Sequence, residues 1–171
     1  MATGAWLLAF VTVQRLVELA LARRNTRRLL ARGAREVGAG HYPVMVGFHA
    51  TWLASLWWLG WQAPLEPAWT IAFLALQPFR LWVVASLGER WTTRVVAVDA
   101  PPIRTGPYRI LDHPNYAIVV GEIALLPLAL GAPGAALAFS LAHLPLLRHR
   151  LAVETAALAE MATRADDRGS R

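Results

Sequence analysis

The sequence predicts an all-α integral membrane protein with five transmembrane helices and a C-terminal amphipathic helix. Three observations predict it. Hydrophobic residues make up 56% of the 171 residues and charged residues 16%, against ~45–50% and ~25% in soluble domains. Five apolar stretches alternate with polar ones. The arginines gather in every second polar stretch, as they do when one side of a membrane is cytoplasmic. The length suits one domain, 1–161, followed by a disordered tail, 162–171.

The first apolar stretch, Thr3 to Ala22, spans 20 residues. As a helix it rises ~30 Å, the thickness of a hydrocarbon core. Ala20-Leu21-Ala22 mimics a signal-peptide cleavage site, but no basic residue precedes the stretch, and Arg15 and Glu18 interrupt it. It therefore reads as a retained span. Arg23 to Gly40 is a polar connector with room for an interfacial helix. Span two is Pro43 to Trp61, and span three is Pro67 to Leu87, with a kink expected at Pro78. The β-branched residues of Trp91 to Val98 suit a short extended segment, ended by Pro101-Pro102. Spans four and five, Pro114 to Leu130 and Ala135 to Leu147, are short enough for a tilted hairpin around Gly131-Ala132-Pro133-Gly134. Arg148 to Met161 reads as the amphipathic helix leaving the membrane.

Charge then orients the chain. A block of six arginines (Arg23, Arg24, Arg27, Arg28, Arg32 and Arg35) follows span one, so that connector is cytoplasmic and the N-terminus outside. Arg90, Arg94, Arg104 and Arg109, and then Arg148 and Arg150, fall inside on the same count. The loop Gln62 to Glu66 and the Gly131–Gly134 turn carry no arginine and fall outside. Four spans would put one Arg-rich segment on the wrong side. This distribution also argues against nucleic acid as the partner of the net charge of +6. The expected location is a bacterial inner membrane, with a cytoplasmic C-terminus. There is no cysteine, which excludes thiolate chemistry and disulfides. No histidine pair has zincin spacing, so no metal is expected.

The residues that could carry chemistry are clustered. Gly106-Pro107-Tyr108 and His113-Pro114-Asn115-Tyr116 lie at the mouth of span four, where a helix N-terminus has free N–H groups for a carboxylate. The competing reading is an Arg-rich loop whose polar side chains only cap helices. Glu122 lies inside span four, on one face with Asn115 and Val119. An ionisable residue there is a functional candidate by default, or else a structural partner of Arg15 or Arg80. His143, Leu147, Arg150 and Glu154 share one face of the last helix. With the cation N-terminal, an Arg150–Glu154 pair is the weaker order, which favours separate partners for each. Arg15 and Glu18 are three apart and suit a structural ion pair. Trp52, Trp57, Trp58 and Trp61 suit an interfacial belt, or a wall for a lipid-like substrate.

The stretch Ile103 to Tyr116, with Arg150-Leu151-Ala152-Val153-Glu154, resembles the isoprenylcysteine carboxyl methyltransferase superfamily of integral-membrane methyltransferases. Its signature is Gly-x-Tyr, Arg-His-Pro-x-Tyr, a helical hairpin and Arg-x-x-x-Glu. Gln14-Arg15-x-x-Glu18-Leu19, Arg32-Gly33-Ala34-x-Glu36-Val37-Gly38 and His41-Tyr42-Pro43 extend the resemblance to the bacterial branch similar to alkylpyrone O-methyltransferases, associated with type III polyketide synthases. Three positions depart from the pattern: Asp112 replaces the Arg before His-Pro, Ile118 a Gly, and Thr155 a second Glu.

The resemblance implies S-adenosylmethionine as methyl donor, bound on the cytoplasmic side. By residue match, the backbone near Pro102 and Ile103, with Tyr108, His113, Pro114, Asn115, Tyr116 and Glu154, would enclose the cofactor. Arg150 would face the acceptor as a catalytic residue. Glu122, by its place on the face of span four toward Asn115 rather than by the resemblance, is the candidate for a second acceptor-side contact or for positioning Arg150. The implied acceptor is a lipophilic polyketide such as an alkylpyrone or alkylresorcinol. A prenyl-cysteine carboxyl or phospholipid-amine methyltransferase is the alternative enzyme, and a small membrane scaffold the alternative without chemistry. The expected partners are that lipophilic acceptor, membrane lipids and, functionally, a type III polyketide synthase.

Overall fold

The computed structural model describes residues 3–101 and 103–169. Five α-helices and one two-stranded antiparallel ribbon make up the regular structure of these residues: α1 (Thr3–Ala31), β1 (Arg35–Val37), α2 (Tyr42–Gly60), α3 (Pro67–Leu87), β2 (Val95–Ala97), α4 (Pro114–Ala129) and α5 (Pro133–Gly169). Short 3-10 turns at Ala39–His41, Gly88–Arg90 and Gly106–Arg109 lead into or out of them.

Two of the expected boundaries move, each for a local reason. α1 does not stop at Ala22. It continues for more than two turns through the arginine block, because one face of the extension is buried at Asn25, Thr26 and Leu29. Asn25 Nδ2 donates to the carbonyls of Gly88 and Trp91, both at 3.0 Å, and so pins the extension to the end of α3. Gly33, at φ 91°, takes the left-handed turn that ends it. Likewise α5 is one helix from Pro133 to Gly169. It joins span five to the amphipathic segment and takes in 162–169, where the sequence reading places a tail. Ala and Arg, both strong helix formers, make up four of the eight residues 162–169.

Leu7, Leu8 and Val11 of α1 pack with Trp52 and Leu56 of α2, Phe73 of α3 and Ile123, Leu126 and Ala129 of α4. This core lies toward the uncharged turns. α1 and α2 approach closely there: a Cβ on Gly4 would lie 2.1 Å from the Gly60 carbonyl oxygen. A second core (Ala22, Val83, Trp91 and Ile118, with Tyr108 against it) lies beneath the polar end of the bundle. Outward faces are apolar: Trp58 is 85% exposed and Trp6 80%, and Ile71, Leu81 and Leu137 are also exposed. α1 and the helical stretch Pro67–Arg90 are long and apolar enough to cross a membrane, and only 22% of each apolar window is buried within the protein. A soluble core helix would be mostly buried; these present their side chains to lipid. α4 is a shorter apolar helix, and α2 is rich in Trp, which suits the membrane interface.

The extended segment expected within Trp91–Val98 is β2. It pairs with β1 in the register Arg35↔Ala97, Glu36↔Val96 and Val37↔Val95. The ribbon therefore ties the connector after α1 to the segment that lines the site described next.

Candidate active site

Pro114 starts α4 at a position where its missing N–H costs nothing. His113 stands just before it, yet its side chain makes no capping bond. The polar residues here are thus not spent on capping. They face a cleft of about 180 Å³ between the α4 mouth, α5 and the Trp91–Ala97 segment, lined among others by Arg90, Tyr108, His113, Tyr116, Arg150 and Glu154. Gly106 begins the turn that delivers Tyr108: its φ is 56°, and a Cβ there would come within 2.3 Å of Ser86 Oγ. Only glycine suits both conditions.

The Tyr116 hydroxyl is the hub. Arg150 Nε donates to it at 2.9 Å, and it donates in turn to Glu154 Oε2. Arg150 and Glu154 thus meet through Tyr116 rather than as a direct ion pair, as the unfavourable Arg-before-Glu order suggested. The His113 ring stacks on that of Tyr116, with centroids 5.3 Å apart and planes 25° apart. His113 Nδ1 lies 4.0 Å from Glu154 Oε1. Arg150 also donates from Nη1 to the Thr93 carbonyl at 2.9 Å, and its guanidinium lies 5.6 Å from the Tyr116 ring centre. Burial, reinforced by Glu154, pushes the Tyr108 phenol up to about 12, so it stays a neutral hydroxyl. Asn115 lines the same cleft, and its Oδ1 is buried with no hydrogen-bond partner. Buried acceptors are rarely left so.

The structure therefore brings Tyr108, His113, Asn115, Tyr116, Arg150 and Glu154 to one cleft, with Pro114 buried behind them. Pro102 lies outside the described residues. Ile103 lines an adjoining hollow of about 500 Å³ with Leu29, Val98 and Asp99. The two spaces share Leu87 and Arg90. Asp112, which replaces the family Arg, also lines the cleft, but so do Arg90 and Arg94. Of these two, Arg94 is paired with Glu36 and Arg90 donates to the Pro101 carbonyl.

Glu122 is placed elsewhere, which corrects the expectation that it contacts the acceptor or positions Arg150. It is 2% exposed and accepts from Arg15 Nη2 at 2.7 Å, Arg80 Nη1 at 2.7 Å and Gln77 Nε2 at 3.2 Å. Glu18 completes the set, accepting two bonds from Arg80 at 2.5 Å and one from Arg15 at 2.9 Å. Two carboxylates and two guanidiniums on α1, α3 and α4 neutralise one another inside the membrane span, where a lone charge would be costly. None of them bonds to Arg150, and none lines the cleft. The structural alternative, pairing with Arg15 or Arg80, holds for both.

Sequence reasoning missed the ribbon's contribution. Arg94 Nη1 reaches both Glu36 oxygens, at 2.7 and 2.8 Å, and its guanidinium sits 4.4 Å from the Tyr42 ring centre. The Tyr42 hydroxyl bonds to Thr93 Oγ1 at 3.1 Å, and the Thr93 carbonyl holds Arg150. A chain of contacts thus runs from β1 to the guanidinium at the hub. The signal was present in the motifs around Glu36 and Tyr42.

A family model described as the isoprenylcysteine carboxyl methyltransferase (ICMT) family matches residues 69–160. That stretch holds every residue named at the hub. A Bacillus subtilis (strain 168) protein, "Uncharacterized protein YpbQ", is 36% identical over 170 residues, covering 91% of this chain and 96% of the relative. No solved structure matches. With more than half of the chain under the family model and its motif residues gathered around one tyrosine hydroxyl, this protein belongs to the isoprenylcysteine carboxyl methyltransferase family of membrane methyltransferases.

Proposed function

We propose that the protein is an S-adenosylmethionine-dependent O-methyltransferase of the bacterial inner membrane, acting on a lipophilic acceptor such as an alkylpyrone or alkylresorcinol. The observation that carries this reading is the hub: one hydroxyl joins a carboxylate suited to the cofactor and a guanidinium suited to an acceptor oxyanion. Five spans, an outside N-terminus and a cytoplasmic mouth for the cleft agree with the arginine distribution. A type III polyketide synthase is the natural source of such acceptors.

The residues present fit the cofactor. A cleft of about 180 Å³ is small beside ligand pockets of roughly 300–1,000 Å³, but the adjoining hollow of about 500 Å³ gives room for a nucleoside. The orphaned Asn115 Oδ1 and the Glu154 carboxylate accept from amino or hydroxyl groups. The Tyr108 and Tyr116 rings offer faces to a sulfonium. Bound there, S-adenosylmethionine would supply an electrophilic methyl group for an acceptor oxygen. Arg150 holds the acceptor oxygen as its anion and stays charged while doing so. An alkylpyrone enol has already lost its proton to water, and a resorcinol hydroxyl, with a phenol's pKa of ~10, loses its proton to water as Arg150 stabilises the anion, so the protein's part is to position, to desolvate and to stabilise that anion.

Calorimetric titration of S-adenosylmethionine into the purified protein in detergent tests this. His113→Ala and Glu154→Ala each remove a polar contact worth about 1–3 kcal/mol and should weaken binding about 5- to 150-fold. Arg150→Lys should bind the cofactor almost as well as wild type, yet methylate an alkylpyrone poorly. Unchanged binding in both alanine variants, with the fold intact, refutes the cofactor assignment. Cofactor binding without methyl transfer to a polyketide redirects the search to prenyl-cysteine or phospholipid acceptors.

A further inference from the structure

His143 and His49 take no part in the hub or in the ion network described above, yet they stand together inside the bundle. His143 is 2% exposed. Its ring stacks on Phe48 (5.4 Å, 26°) and meets His49 edge-on at 5.9 Å. Phe139 closes the group, 5.9 Å from Phe48. No hydrogen bond to the His143 ring is present among the described residues. An imidazole packed between Phe48 and His49 has no protein partner there for its N–H or its lone pair, where Phe or Leu would pack without that cost. His49 is half satisfied. Its Nδ1 lies 2.8 Å from the Met45 carbonyl. A carbonyl only accepts, so Nδ1 carries the proton and, in the neutral ring, Nε2 is left as an acceptor.

The placement connects this pair to the reaction. His143 and Arg150 are seven residues apart on one face of α5, ~10 Å along the helix. An acceptor ring with one oxygen at Arg150 and its tail in lipid would meet the histidines with its opposite edge.

We propose that His143 and His49 form a subsite for a second hydroxyl on the acceptor ring. That hydroxyl donates to His49 Nε2 and accepts from His143. A carbonyl oxygen satisfies only His143, since the His49 lone pair needs a donor. A carboxylate would bring charge to two neutral rings. The pair therefore selects a ring bearing two oxygens of which the far one carries hydrogen. This inference rests on the O-methyltransferase reading above.

The test compares an alkylresorcinol with the matching alkylphenol, which lacks the second hydroxyl, by KM for methylation and by equilibrium binding to the detergent-solubilised protein. Wild type should hold the resorcinol about tenfold more tightly, one hydrogen-bonded group's worth. His143→Phe keeps a flat ring on Phe48 and should close the gap between the two acceptors. His49→Phe should close it too, and serves if the first variant fails to fold. A wild type that does not distinguish the acceptors, or a gap that persists in the folded variants, overturns the subsite alone. Failure to bind S-adenosylmethionine or to methylate either acceptor overturns the function and the subsite with it.

Discussion

Glu122→Gln separates a structural role for this intramembrane carboxylate from a catalytic one. Glu122 and Glu18 balance Arg15 and Arg80, two negative charges against two positive. The amide keeps the shape but leaves one positive charge uncompensated among side chains that are 3–23% exposed. Breaking a buried pair by removing one partner costs about 3–5 kcal/mol. At about 2–4 °C per kcal/mol for a chain of this size, the melting temperature in detergent should fall by roughly 6–20 °C. Adding Arg15→Gln restores neutrality, with Arg80 still held by Glu18, and Arg15 is the more exposed of the two arginines. The double variant should recover more than half of the loss. Thermal unfolding of the three proteins, with S-adenosylmethionine titrated below the lowest melting point, decides the matter. A single variant that melts within about 2 °C of wild type but has lost turnover would refute the structural account. A double variant as unstable as the single would refute the charge-balance argument.

Tyr116→Phe removes the hydroxyl that joins Arg150 to Glu154 but keeps the ring on His113. Losing bonds to charged groups worth about 1.5–3 kcal/mol should lower kcat at least tenfold, with a smaller change in cofactor affinity, read by steady-state kinetics beside calorimetry. Reporter fusions in the Gly131–Gly134 turn should report the outside and fusions after Glu160 the cytoplasm; the reverse pattern would sink the five-span arrangement. Tyr108 has its phenol raised to about 12, against ~10 in the unfolded chain. Its raised value contributes stability below pH ~10 that is lost as pH rises through about 12, because the unfolded state gives up its proton first. Tyr108→Phe should therefore flatten the alkaline end of a melting-temperature profile.

Helix positions were legible because a span must satisfy its own backbone and show apolar side chains to lipid, which leaves a plain run in the sequence. Tyr108, His113, Tyr116, Arg150 and Glu154 were legible for a different reason: the last two sit one turn apart on a face, the others surround a helix mouth, and all five match the motifs of the family that the sequence resembles. What stayed hidden depends on partners far away in the chain. Nothing local to Asn25 announces that it will bond the carbonyls of Gly88 and Trp91 and carry α1 past the membrane. Nothing local to Arg35–Val37 announces a strand three residues long; it exists because Val95–Ala97 lies beside it. Glu122 shows the same limit from the other side. Its sequence neighbours point along α4 toward Asn115, while its charge is claimed by α1 and α3.

The ribbon changes how the division of labour at the hub is understood. Arg150 uses Nε on the Tyr116 hydroxyl and Nη1 on the Thr93 carbonyl, two fixed directions that a planar guanidinium can serve at once and an ammonium cannot. With those donors committed, Nη2 bonds to no protein atom among the described residues and can meet an acceptor oxygen, its direction set by the other two. Thr93 is held in turn by Tyr42, and Arg94 clamps Tyr42 and Glu36 from the β2 side. The aim of the acceptor-facing group is thus set partly by residues 36, 42 and 93–94, of which the first two lie outside the 69–160 stretch that marks the family. Glu154 acts through the same hydroxyl from the other side. Tyr116 is thus the residue whose loss touches both the acceptor side and the cofactor side, while Arg150→Lys and changes in the ribbon should act on turnover through Arg150 and leave cofactor affinity nearly unchanged.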